Sequence, residues 1–85
     1  MPYIKEESRP KLDRIVEQLP EELKAGELNY FITKTLLATK PQSYTDYNAL
    51  VGVLECVKLE FYRRAISTYE DGKMVENGDV YGSIE

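Results

Sequence analysis

Residues 43–71 read SYTDYNALVGVLECVKLEFYRRAISTYED, and apolar side chains recur there at Tyr47, Leu50, Leu54, Val57, Phe61 and Ala65. Steps of three and four place these positions on one face of a helix. Ser43 or Thr45 is suited to cap its start, Asp46 sits in the first turn, and no proline interrupts the run before Gly72. Such a helix spans about 39 Å for about twenty-six residues and is expected to be the centre of the molecule.

The faces of this helix raise the question of what covers them. Stepping about 100° per residue from Leu50, one stripe gathers Leu50, Val53, Leu54, Val57, Phe61 and Ala65 within about 120°, enough for a three-helix core. About a quarter turn away, Tyr44, Val51, Tyr62 and Tyr69 nearly coincide, with Leu59 and Ile66 beyond them. Either the other helices and the tail wrap both sides and bury everything, or the tyrosine line meets a second copy of the chain. Tyrosine suits an interface because its ring is buried while its hydroxyl reaches the wet rim. Tyr30 and Leu37, seven residues apart on the outer side of the preceding helix, favour the oligomer. Ala49, Gly52 and Cys56 form a small-residue seam on another flank. Glycine inside a helix costs about 1 kcal/mol relative to alanine, so Gly52 is expected to permit a close helix crossing, within one chain or between two. The candidate interface is therefore Tyr30, Leu37, Tyr44, Val51, Gly52, Leu59, Tyr62, Ile66 and Tyr69, in a homo-oligomer that is a dimer or larger.

Working outward, residues 1–7 read as an extended lead in which Tyr3 and Ile4 are available to pin the chain to the core. Ser8 followed by Pro10 predicts a helix over 8–19, since proline lacks an N–H that the first turn would not use. Leu12, Ile15, Val16 and Leu19 line its inner face, and Pro20 ends it. A second helix is predicted over 26–39, with Glu27 near its positive end and Leu28, Phe31, Ile32, Thr35 and Leu36 on one face. Lys40-Pro41 stops it, because the residue before proline is pushed out of the helical region. After Gly72 the tail, 72–85, carries Asn77-Gly78, a type I′ turn signal that could pair 74–76 with 79–81 as a small hairpin. The expectation is a single all-α domain of three main helices with a short hairpin-like or extended tail.

Composition narrows the function classes. A chain of 85 residues with 42% hydrophobic and 31% charged residues has the balance of one globular domain. A domain of this size buries about 60 to 65% of the surface its unfolded chain exposes. No apolar run reaches the roughly 18 residues needed to span a bilayer, and MPYIKEESRPKLDR lacks the apolar block of a secretory signal, so the expected compartment is the cytoplasm. With one cysteine and no histidine, neither an intramolecular disulfide nor a structural zinc site is expected. Eleven bases are interspersed with fifteen acids, which leaves no concentrated basic footprint for nucleic acid.

No glycine-rich phosphate loop, GxSxG elbow or Ser-His pair is present. Cys56, with no histidine to act as its base, reads as a small buried hydrophobe. Glu60 and Arg64 form an i,i+4 pair that trims the helix. Glu55, Glu60, Glu76 and Asp79 raise the alternative of a magnesium-dependent nucleotide pyrophosphohydrolase, but Glu55 and Glu60 lie about 140° apart and do not converge. No cofactor and no catalytic residue is assigned. A second alternative is a binding module whose tail, acidic at Glu76, Asp79 and Glu85, docks on another protein's sheet.

Four segments, MPYI (1–4), GELNYFIT (26–33), LVGVLECVKLEFYRR (50–64) and YEDGKMVENGDVY (69–81), resemble a family of small uncharacterised proteins from bacteriophages and from bacterial or environmental genomes. The resemblance implies a helical protein without an established role and carries over no functional residue. The reading that follows is a small helical interaction or structural protein that self-associates through its long helix.

Overall fold

In the computed structural model, which describes residues 1–82, local signals set most helix ends. A 3-10 turn at Glu6–Ser8 leads into α1 (Pro10–Glu17), followed by α2 (Ala25–Ala38), α3 (Tyr44–Phe61) and α4 (Ser67–Asn77). A π-helical turn at Tyr62–Ile66 joins α3 to α4, so the two form one long C-terminal helix. The fold is all-α, without strands among the described residues.

Ser43 caps α3 as its side chain suggests: its Oγ accepts the Asp46 N–H at 3.1 Å, and the Asp46 carboxylate accepts the Gln42 N–H at 3.0 Å. Two backbone donors that the helix itself leaves unpaired are thereby satisfied. Glu27 accepts the Lys24 N–H at 3.0 Å and starts α2 in the same way, one residue before the expected boundary. Helix α2 closes through Lys40, whose φ of 56° reverses the chain ahead of Pro41. Lys40 leaves the helical region ahead of the proline as expected, but into the left-handed rather than the extended region. Pro10 occupies the first turn of α1, whereas Ser8 is no cap. It belongs to the preceding 3-10 turn, and Arg9 takes the cap position while donating from Nε to the Ile4 carbonyl at 3.0 Å.

The C-terminal end departs from expectation. Gly72 does not end the helix, which continues through 74–76 to Asn77, so no hairpin forms around Asn77-Gly78. Gly78, with φ of 92°, is the residue that turns the chain out, and its N–H caps the Met74 carbonyl at 2.9 Å. Asn-Gly acts here as a helix terminator, a use of positive φ that competes with the hairpin turn. From Gly78 to Gly82 the tail is irregular, and Glu85 lies outside the described residues.

What the helices do not do is bury one another. None of the described residues is buried, and neither α1 with α2 nor α2 with α3 forms a packed pair. The accessible surface is 8056 Å², and the radius of gyration is 17.4 Å with extents of 48 × 34 × 30 Å. A compact chain of this mass exposes about 5,200 Å², and one of this length has a radius near 12 Å. Only about 43% of the unfolded surface is covered, well short of the 60 to 65% a self-contained domain reaches. The expected three-helix core around the long helix is absent from the single chain. Amphipathic periodicity specifies a face to be covered without specifying which chain covers it.

Replacing Ser43 by alanine removes the α3 cap and should cost about 1 kcal/mol. The thermal midpoint measured at fixed protein concentration is expected to fall, and Ser43→Asp to restore it.

Candidate interaction surface

Apolar side chains lie exposed on every helix: Leu12, Ile15 and Val16 on α1, Leu28, Tyr30, Phe31, Ile32 and Leu37 on α2, and both stripes of the C-terminal helix. Much of the stripe assigned to an intrachain core is open too, although Leu50 is half-buried. Val53, Val57 and Phe61 are 52%, 56% and 62% exposed, against 62% and 53% for Val51 and Tyr62. Of the sequence-derived interface set, Tyr30, Leu37, Tyr44, Val51, Leu59, Tyr62 and Tyr69 are exposed and Ile66 is half-buried. The surface thus extends beyond that set to Val53, Val57 and Phe61, which periodicity alone had placed inside.

Gly52 faces open space, with nothing within 4 Å of where a Cβ would sit, so no helix of its own chain crosses there. Cys56 is likewise exposed rather than a buried hydrophobe. Both corrections have one cause, the absence of a helix packed on that flank of α3 within the chain.

The π turn also changes the geometry of the tyrosine line. The Ser67 N–H reaches back five residues to the Tyr62 carbonyl, so this turn takes one residue more than an α turn. Residues beyond it are rotated back by about 100°, the angular step of one residue. Tyr69 therefore leaves the line of Tyr44, Val51 and Tyr62 and swings toward the Leu50–Phe61 stripe. A regular 100° wheel carried through 43–71 has no means of registering the insertion.

One polar cluster ties the two ends of the chain together. The Tyr3 hydroxyl donates to Glu60 Oε1 at 2.7 Å, Arg63 Nη2 donates to the same oxygen at 2.6 Å, and Arg64 Nη1 lies 3.4 Å from the Tyr3 hydroxyl. Tyr3 pins the amino-terminal arm as the sequence suggested, but its anchor is a carboxylate rather than a hydrophobic core. Glu60 pairs with Arg63 at i+3, not with Arg64 at i+4, which leaves Arg64 to reach the tyrosine. The guanidinium of Arg63, and after it the Tyr3 hydroxyl, hold the Glu60 carboxyl below the ordinary glutamate range. Pro2, Tyr3, Val57 and Phe61 surround the cluster with a shallow, largely apolar depression.

The carboxylates considered for magnesium are engaged elsewhere. Glu55 pairs with Lys58 at 3.3 Å and Glu76 with Lys73 at 3.4 Å, and no three His, Cys, Asp or Glu side chains converge among the described residues. Among those residues, too, no helix is long and apolar enough to cross a membrane.

With this geometry in view, comparison with known families gives a match over residues 1–80 to DUF6899, a domain of unknown function. The chain belongs to that family. The matched residues run from the Tyr3 arm through the C-terminal helix. No curated protein and no solved structure matches the chain.

The clasp has a pH dependence of fixed sign. Because the Glu60 carboxyl is held low in the folded state, its contribution is present above the unfolded glutamate pKa and is lost as pH falls through the lowered folded value. Tyr3→Phe removes one donor and should move the Glu60 titration midpoint upward in a carboxyl-carbon NMR titration. An unchanged midpoint would mean that the arm does not bond Glu60 in solution.

Proposed function

We propose that this member of the family is a small helical interaction or structural protein that works by self-association. The observation that carries the reading is the exposure of apolar side chains on every helix, with an accessible surface of 8056 Å² for a chain of 9.8 kDa. Soluble monomers rarely expose contiguous apolar patches beyond a few hundred Å², and larger ones mark association surfaces. The aromatic content of the surface supports this, since Tyr30, Tyr44, Tyr47, Tyr62 and Tyr69 present rings to solvent and tyrosine is enriched where proteins meet. The resemblance of the four sequence segments to phage-encoded small proteins supports a phage origin.

Light scattering on a sizing column over a tenfold concentration range tests the reading. A mass of twice 9.8 kDa or more is expected, and Val51→Asp should lower it toward the monomer. A monomer at all concentrations would overturn the proposal.

A further inference from the structure

Resting on the self-association just proposed, we infer that the hydrophobic core of this protein is made between two copies of the chain, α2 and α3 of each covering those of the other, so that dimerisation and folding are one reaction.

The area decides between a docked partner and a shared core. The chain exposes 8056 Å², about 2,900 Å² more than a compact chain of its mass. An ordinary docked partner covers about 800 Å² and would leave most of this surplus in water. Two copies covering each other's surplus bury about 5,800 Å² in all, at the upper end of obligate homodimers, whose interfaces resemble a domain core cut in half. Exposed apolar side chains lie on both α2 and α3, which do not pack on each other within the chain, as well as on α1 and α4.

Charge points to a second copy rather than an oppositely charged partner. Residues 25–61, which span α2 and α3, carry three bases against four acids, and most of the chain's net charge of −4 lies outside them. Within that middle segment Glu55 and Glu60 are already paired with Lys58 and Arg63. The α2–α3 region is therefore nearly neutral, and laying it against an identical region in a two-fold arrangement brings no like-charged surfaces together. Each copy supplies the same kind of surface that the other leaves uncovered.

The test follows sedimentation mass and far-ultraviolet circular dichroism of the full chain through one dilution series. A shared core predicts a dimer whose helical signal falls together with its mass, and a thermal midpoint that rises with protein concentration. Val57→Asp, on a side chain already open in the single chain, should lower mass and helicity together. A dimer that dilutes to a fully helical monomer would overturn the shared core while leaving self-association standing. A stoichiometry above two would overturn the two-chain form alone. A helical monomer throughout would overturn both, and a non-helical monomer throughout would overturn both in favour of a partner of different chemistry.

Discussion

The cover of apolar helix faces is the constraint on which the rest of this structure depends. Helices as short as α1 are marginal in water by themselves, and most helical stability in a protein comes from tertiary packing of an apolar stripe. The chain supplies well-formed caps at Ser43 and Glu27 and a proline at the start of α1, yet leaves Val53, Val57 and Phe61 open to solvent. Caps contribute on the order of 1 kcal/mol each and decide where helices begin. They do not replace a core.

Against that background the contact between the chain ends acquires a role. Tyr3 and Glu60 are far apart in sequence, and their hydrogen bond fixes the amino-terminal arm to the C-terminal helix two residues before the π turn begins. The wider turn reorients the last third of that helix, bringing Tyr69 toward the main apolar stripe. π turns inserted into α-helices often occur at functional positions.

Much of the secondary structure was legible in the sequence because its signals are local. Periodicity marked the three helical regions, Ser43 and Pro10 marked two starts, and Lys40-Pro41 marked a stop. The departures at the helix ends concern residues that suit more than one local structure. Asn77-Gly78 offers positive φ to a hairpin or to a helix end, and the helix end prevails because residues 73–76 continue the turn and join it through the Lys73–Glu76 pair. Ser8 can cap a helix or sit within a 3-10 turn, and the turn takes it. The candidate interface residues were legible as a second apolar line, but the first line was misplaced inside the chain. A period of 3.6 identifies side chains that avoid water without identifying their cover.

By itself, then, the amino-acid sequence determined the helical class, the approximate helix limits, the dominance of the C-terminal helix and the apolar character of two of its faces. These follow from propensity, spacing and capping, which act over a few residues. Only the tertiary structure decided that α1, α2 and α3 stand apart, that Gly52 has no helix of its own chain across it, and that Glu60 rather than a hydrophobic core receives Tyr3. Those outcomes depend on one extra residue in a turn and on contacts between distant positions, neither of which leaves a periodic trace in the sequence.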